Sequence, residues 1–197
     1  MVAGMDQLRH QLTAAVALLA LAGCGSDRSS ARAAEVVPRD VALARFRSGI
    51  AEVKQFSGGA TSRDGLIRAY LRALEHKDVA ALRALTLTKA EFAWLYYETT
   101  PESRPPYDLE PGLMWFLIEG HGEKGLARAL DERGGRPLAY AGRVCPVGTR
   151  QGENLVWTGC ALRRVQAPGD TVVERLFGPI VARGGRFKFV SLTNKLD

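Results

Sequence analysis

The stretch CPVGTRQGENLVWTGC, residues 145–160, decides how the second half of this chain folds. Its centre, Gly152-Glu153, is typical of the two-residue type II′ turn of a β-hairpin, and the residues on either side favour strands. With this turn, the numbers of facing residues add up to 305, which is the sum of 152 and 153. Cys145 and Cys160 therefore face each other across the hairpin, within the distance that a disulfide bond spans.

The pairing of Cys145 with Cys160 leaves alternatives open. A strict two-residue turn makes them a hydrogen-bonded pair, whereas cross-strand disulfides favour the other kind of pair, which a slightly longer loop would provide. Free thiols or a metal site are further alternatives, although two cysteines without clustered histidines make a poor metal site. The chain has no C-x-x-C redox motif. We therefore interpret the bridge as structural, which fits an oxidising compartment.

The residues after Gly135 predict an antiparallel sheet, because apolar residues there alternate with a period of two and turn residues recur. Phe187 and Phe189 alternate with Lys188, as expected of a half-buried strand. The predicted strands lie near residues 137–145, 154–166, 171–182 and 186–193. The predicted turns are Gly152-Glu153, Pro168-Gly169-Asp170 and Gly184-Gly185.

Helices are predicted before Gly135. The strongest helical pattern lies at 62–74, where Ser62 can cap a helix whose apolar residues form one stripe. That stripe consists of Leu66, Ile67, Tyr70, Leu71 and Leu74. Asp78 is expected to cap a second, short helix, and Thr88 and Glu91 form the capping box of a third.

Two further helices are predicted on either side of this group. The first runs over 38–56 and ends at the Ser-Gly-Gly that follows it. The other begins at Pro111, is interrupted at Gly120 and Gly122, and resumes as a last piece over 124–133.

Helices up to about residue 134, followed by strands over 137–193, predict an α+β fold. The N-terminal helices would pack on one face of a curved antiparallel sheet of about four strands. The helix at 62–74, the break at 77–79 and the closing strand GRFKFVS at 185–191 resemble the nuclear-transport-factor-two-like (cystatin-like cone) superfamily. The resemblance implies a conical cavity between sheet and helices. It implies no activity, because this scaffold hosts enzymes, binders and assembly modules.

The beginning of the chain has the pattern of a targeting signal. An uncharged apolar run, Leu12–Leu21, is followed by Ala22, Gly23 and Cys24. A run of this length is too short to cross a bilayer core of about 30 Å but suits a signal peptide. The pattern resembles the lipobox of bacterial lipoproteins, which implies that Cys24 is lipidated and becomes the first residue of the mature protein. An ordinary signal peptide with an incidental cysteine is the alternative.

This interpretation divides the chain into a signal peptide at 1–23, a flexible tether at 24–37 and one domain at 38–197. It implies attachment through Cys24 to a membrane of the bacterial cell envelope, facing the periplasm, and Gly25-Ser26 favours the outer membrane. The net charge of +6 then suits anionic lipid headgroups or envelope polymers, or serves solubility alone. This address argues against a nucleic-acid partner, and no motif of that class is present.

Little in the sequence points to catalysis. His121 lies between two glycines and two carboxylates, Glu119 and Glu123. Such a histidine can act as a general base or a metal ligand, although a polar surface role is the simpler interpretation. The sequence has no metal-binding or cofactor motif, so we expect neither a metal nor a cofactor.

Aromatic side chains form a second group of candidates. Their rings either line a pocket for an apolar or sugar-like ligand or fill the core around the sheet. The residues concerned are Tyr70, Trp94, Tyr97, Trp115 and Trp157. Glu174 and Arg175, inside an otherwise apolar strand, lie either on its solvent face or in the cavity.

Three functional hypotheses follow. The favoured one is a lipid-anchored envelope protein whose α+β domain binds a small ligand or an envelope protein without catalysing a reaction. The second is a hydrolase- or isomerase-like enzyme that uses His121 in a conical pocket. The third is a structural envelope protein that docks on an anionic polymer.

Overall fold

The computed structural model describes residues 37–194 of the chain. Five α-helices form the first part of this range. They are α1 (Arg39–Arg47), α2 (Arg63–Glu75), α3 (Val79–Ala84), α4 (Lys89–Glu91) and α5 (Pro111–Arg133). A π-helical turn at Phe92–Tyr96 and short 3₁₀ turns at Tyr97–Thr99 and Pro101–Ser103 connect α4 to α5. The predicted signal peptide, Cys24 and the tether up to residue 36 lie outside the described residues.

The predicted helix caps are confirmed. The side chains of Ser62, Asp78 and Thr88 each accept a hydrogen bond from a backbone N–H in the first turn of α2, α3 and α4. Glu91 completes the capping box by accepting a hydrogen bond from the N–H of Thr88. These caps satisfy backbone groups that a helix leaves without partners at its start.

The predicted extent of the first helix is wrong. α1 ends at Arg47 instead of continuing to Phe56. Gly49 takes a φ of +77°, a left-handed conformation that ends a helix and that glycine adopts without strain. The chain then continues without regular structure to Phe56, whose side chain is buried.

The predicted interruption of the later helix is also wrong. α5 runs unbroken for 23 residues through Gly120 and Gly122. Near Gly122 and Gly125 the helix packs closely on the end of the chain. A Cβ atom at Gly125 would lie 2.1 Å from the carbonyl oxygen of Leu192, and one at Gly122 would lie 3.6 Å from the Cβ of Ser191. Tertiary packing therefore outweighs the low helix propensity of glycine here.

Seven strands follow the helices and form two antiparallel sheets, so the predicted α+β class is confirmed. One sheet has the order β1-β4-β5 and the other the order β2-β3-β6-β7. The strands are β1 (Tyr140–Val144), β2 (Thr149–Gln151), β3 (Asn154–Trp157), β4 (Ala161–Ala167), β5 (Asp170–Glu174), β6 (Ile180–Arg183) and β7 (Arg186–Phe189). The three predicted turns are confirmed, whereas the long strands predicted at 154–166 and 171–182 each break in the middle.

The predicted hairpin register is confirmed on both sides of this break. Gln151 pairs with Asn154 in one sheet and Val144 pairs with Ala161 in the other, and both pairs add up to 305. Cys145 and Cys160 lie between the two ladders, with sulfur atoms 2.12 Å apart and Cα atoms 4.2 Å apart. The cysteine pair therefore joins the two strands where their hydrogen-bonded ladder is interrupted.

The four-stranded sheet is covered on both faces at β3, β6 and β7. One face contributes Trp157, Ile180 and Phe189 to a first core, which also contains Leu66, Ile67, Tyr70 and Leu74 of α2. The other face contributes Val156, Val181 and Val190 to a second core, which also contains Leu43, Phe92, Tyr97 and Met114. The prediction of a half-buried closing strand is therefore wrong at Lys188, which is 1% exposed. No helix within 37–194 is long and apolar enough to cross a membrane.

Candidate functional site

A concave, mainly apolar site lies where α5 crosses the end of the chain. We call it the α5 groove. It has a volume of about 250 Å³ and lies between α5, the residues that join α3 to α4, and the segment after β7. Its walls are formed by the apolar side chains of Leu87, Trp115, Ile118, Val190 and Leu192. An apolar concavity with a small number of polar groups is the usual form of a small-molecule site.

Backbone pairing positions one wall of the α5 groove. The N–H of Leu87 donates to the carbonyl of Phe189, and the N–H of Phe189 donates to the carbonyl of Leu85, both over 2.9 Å. The link between α3 and α4 is therefore held along β7 as if it were a further strand. The opposite wall is α5, which the close contact at Gly125 draws toward Leu192.

An ion pair lies at the rim of the α5 groove. Arg83 donates two hydrogen bonds to Glu123, of 3.0 and 2.7 Å. These hydrogen bonds lower the pKa of Glu123 below its ordinary value, against a smaller opposing effect of burial. Both side chains are about half exposed, at 58% and 51%, so the pair is free to separate at little energetic cost. Thr86, Thr88, Lys89, Glu119 and Ser191 supply the other polar groups of the lining.

A buried ion pair supports the groove from behind. Lys188 of β7 donates to Glu91 over 2.7 Å, and the two side chains are 2% and 1% exposed. Glu91 also accepts from the N–H groups of Ser57, at 2.6 Å, and Thr88, at 2.8 Å. Burial raises the pKa of Glu91, but these hydrogen bonds and the charge of Lys188 together lower it below its ordinary value. The pair therefore fixes α4, and with it Thr88 at the groove, to the closing strand.

The five aromatic residues predicted as a pocket are not brought together. Tyr70 and Trp157 belong to the first core and Tyr97 to the second, whereas Trp94 and Trp115 are half-buried. Trp94 and Trp115 line two separate cavities, and none of the other three rings lines either of them. Trp115 is the one that lines the α5 groove.

Trp94 lines a different and more polar groove between α1 and the π-helical turn, with a volume of about 770 Å³. Arg47 lies over the Trp94 ring at 4.2 Å from its centroid. The same guanidinium donates to the carbonyl of Ala93 at 2.8 Å and to Glu98 at 2.5 Å. Arg47 is therefore already bound to partners within the protein, whereas Arg39, Asp40 and Ser48 supply further polar groups of this groove.

The structure places His121 on the exposed side of α5, in the middle of the helix. Glu119 and Glu123 line the α5 groove, whereas His121 does not. Glu123 is bound to Arg83 rather than to the histidine. Within that range, no group of three possible metal ligands is found.

A feature that sequence analysis missed is an open groove lined by arginines between α2 and β1. We call it the arginine groove. Arg68 and Arg143 both contact Asp64, at 3.3 and 3.2 Å, and Tyr140 donates to the same carboxylate over 3.0 Å. These hydrogen bonds, chiefly that of Tyr140, lower the pKa of Asp64. A cavity of about 400 Å³ lies beside them, and Arg72 lines a smaller adjoining cavity. The sequence signal that could have predicted the arginine groove is the spacing of Arg68 and Arg72, which lie four residues apart on α2.

The alternatives for Glu174 are resolved by its contacts. Arg164 donates to its carboxylate over 2.7 Å and Arg133 over 3.0 Å. The hydrogen bond from Arg164 is the main reason that the pKa of Glu174 falls to about 2, with Arg133 adding to it and burial opposing it. Arg175 is exposed. Glu174 thus joins α5 to the three-stranded sheet and is structural.

Comparison of the chain with protein-family models, with curated proteins and with solved structures finds no match.

Proposed function

We propose that this protein is a lipid-anchored component of the bacterial cell envelope whose α+β domain binds a small apolar ligand, without catalysis, in the α5 groove. The lipobox at Cys24 supports the anchor and its placement on the periplasmic side of a membrane, with the outer membrane favoured. The observation that supports the binding function is the apolar lining of the groove beneath an exposed ion pair. The resemblance to the cystatin-like cone superfamily remains a prediction.

Apolar contact is the interaction that this groove offers most. Its walls are carbon-rich, and two of the four charged residues in its lining, Arg83 and Glu123, already bind each other; the other two are Lys89 and Glu119. Its volume of about 250 Å³ lies just below the usual range for drug-sized ligands, about 300–1,000 Å³. We therefore expect a ligand, or the buried part of one, no larger than a bicyclic ring or a short branched chain.

The binding function can be tested by filling the groove. Ala84 is exposed and lines the groove, so Ala84→Trp adds a large ring there without disturbing a core. Indole serves as the apolar probe, and amide chemical shifts of Gly122 and Leu192 report its binding by NMR. The matched control is Ala80→Trp, on an exposed position of the same helix outside the groove.

We expect saturable shifts with the unmodified protein and with Ala80→Trp, and none with Ala84→Trp. Absence of saturable shifts in the unmodified protein, or equal binding by both variants, would contradict a binding role for the groove. The anchor is tested separately, by mass spectrometry of the mature amino terminus. A lipid-free, unprocessed chain would contradict the anchor and leave the groove result standing.

The arginine groove favours a second candidate function, docking on an anionic polymer. Arg68, Arg72 and Arg143 line adjoining cavities together with Tyr140, and Asp64 offsets part of their charge. Attraction between exposed charges weakens with added salt. We therefore expect Arg72→Gln to weaken retention on a heparin column, whereas the control change Arg45→Gln, at an exposed position of α1, should matter less. Retention that does not depend on salt would exclude this function.

The enzyme hypothesis remains a prediction for His121. It requires turnover of a generic ester or glycoside substrate that disappears in His121→Ala. Activity of that kind would overturn the proposal of a non-catalytic domain.

A further inference from the structure

The side of α5 that faces away from the cores is apolar over its first two turns. We call this the outer face of α5. Leu113 is 50% exposed and Phe116 is 68% exposed. Leu117 and Gly120 follow at the spacing of three and four residues that places them on the same side of a helix. Tyr107, 64% exposed, lies in the loop that precedes the helix.

Basic side chains continue the outer face toward the end of the helix. Lys124 and Arg128 follow Gly120 at intervals of four residues, and both are exposed; the exposed Asp131, three residues after Arg128, offsets part of their charge. Apolar rings and chains beside lysine and arginine are the composition of a helix that lies in the interface of a membrane. Lysine and arginine near an anionic surface add to the attraction, and this attraction weakens with salt.

The start of the domain lies beside this face. α1 begins two residues after Val37 and packs against α5, where Phe46 comes within 4.0 Å of the Cβ position of Gly112. Thirteen residues lead from Cys24 to Val37. Fully extended, a segment of that length reaches at most about 45 Å. A lipid on Cys24 would therefore keep the outer face of α5 within reach of the bilayer.

A second copy of the chain fits this face less well. A stable protein interface buries about 800 Å² on each partner, whereas one large aromatic side chain buries about 150–250 Å². Leu113 and Phe116 are the large side chains of the outer face that are at least half exposed, and they supply well under half of that area. A membrane contact requires less, because the anchor holds the face at a high local concentration near the bilayer.

We propose that the outer face of α5 lies on the membrane to which Cys24 is anchored, with Leu113 and Phe116 at the boundary between headgroups and acyl chains and Lys124 and Arg128 among anionic headgroups. This inference rests on the proposed lipid anchor. It also places the α5 groove, whose lining includes Trp115 and Ile118 of the same helix, beside the bilayer surface. An apolar ligand would then be able to reach the groove from the membrane.

The experiment uses the mature lipidated protein in vesicles of phosphatidylethanolamine and phosphatidylglycerol that contain a brominated lipid. Phe116→Trp places a reporter on the outer face, and Val147→Trp, at a position 92% exposed on a loop of the sheet region, is the matched control. Bromine quenches tryptophan fluorescence on contact. We expect Phe116→Trp to show a quenched component that the unmodified protein and Val147→Trp lack.

No added quenching in Phe116→Trp, or equal quenching in both variants, would overturn the proposal. The variant Leu113→Ser/Phe116→Ser gives a second measurement, because both side chains are exposed and the fold should persist. We expect it to lower at least tenfold the vesicle binding of the mature-length chain that begins at residue 24 and carries Cys24→Ser in place of the lipidated cysteine. A dimer of the unmodified protein that this variant dissociates would overturn the proposal in favour of a second copy. Mass spectrometry of the amino terminus shows independently whether the anchor itself is present.

Discussion

Removal of the lysine from the buried pair Glu91–Lys188 should be strongly destabilising. Lys188→Met keeps a similar side-chain length and deletes the charge, so the Glu91 carboxylate, 1% exposed, loses its cation. Breaking a buried ion pair by removing one partner costs about 3–5 kcal/mol. In a domain of this size each kcal/mol shifts the melting temperature by about 2–4 °C, so we expect a decrease of about 6–20 °C.

The loss should become smaller at acid pH. In the unmodified protein the pKa of Glu91 is lowered, so its contribution to stability is present above the ordinary glutamate pKa and is lost as the pH falls through the folded-state pKa. In Lys188→Met, burial without the lysine raises that pKa, and the carboxyl takes up a proton in the folded state. The difference in free energy of unfolding between the two proteins should therefore be larger at neutral pH than at pH 4.

Urea denaturation followed by circular dichroism at both pH values measures this difference. Arg83→Met is the control, since it removes a cation from an exposed pair and should change the unfolding midpoint little. The double variant Glu91→Gln/Lys188→Met keeps an acceptor for the N–H groups that Glu91 binds, and should be more stable than Lys188→Met alone. The reasoning is refuted if Lys188→Met unfolds at the same midpoint as Arg83→Met, or if the effects of the two changes in the double variant simply add.

Further outcomes are expected at three places in the structure: Glu174, the cysteine pair and the glycines of α5. The carboxyl of Glu174 should titrate near its pKa of about 2 in an NMR pH series, and because this pKa is depressed, its contribution to stability should persist above the ordinary glutamate pKa and disappear as the pH falls toward 2. Replacing both Cys145 and Cys160 by Ala should lower the free energy of unfolding by about 3 kcal/mol, the entropy of closing a loop of this length, and a reducing agent should have the same effect on the unmodified protein. Gly125→Ala should lower the free energy of unfolding by about 1–3 kcal/mol, because the added Cβ overpacks against the backbone of Leu192. Gly120→Ala, whose Cβ meets nothing within 4 Å, should instead raise the melting temperature.

Features that depend on neighbours in the sequence could be predicted. Ser62, Asp78 and Thr88 cap helices because each side chain binds the backbone N–H three positions ahead, so no distant residue is needed. The hairpin register follows from the turn at Gly152-Glu153 alone, since a two-residue turn determines every facing pair along both strands. The Cys145–Cys160 pairing is a consequence of that register.

Features that depend on what covers a surface could not be predicted. The pattern around Lys188 is the same whether the polar side faces water or a second core, and here the second core covers it. The lysine is accommodated because Glu91, 97 positions earlier, lies at the buried end of α4. The five aromatic residues likewise divided between two cores, because both faces of one sheet are covered and each face required large side chains.

The glycines of α5 connect the error in the predicted helix to the candidate site. Glycine at 120 and 122 predicted a break because an isolated helix is weakened there, yet Gly122 lines the groove and Gly125 touches the backbone of Leu192. A helix interrupted at these positions would not cross the end of the chain and would leave the groove without its second wall. A side chain at 125 would hold the helix away from Leu192 and open the same space to solvent. Glycine weakens the helix locally, but at 125 it allows α5 to approach Leu192 and enclose the groove. The proposed binding function therefore requires that α5 is continuous.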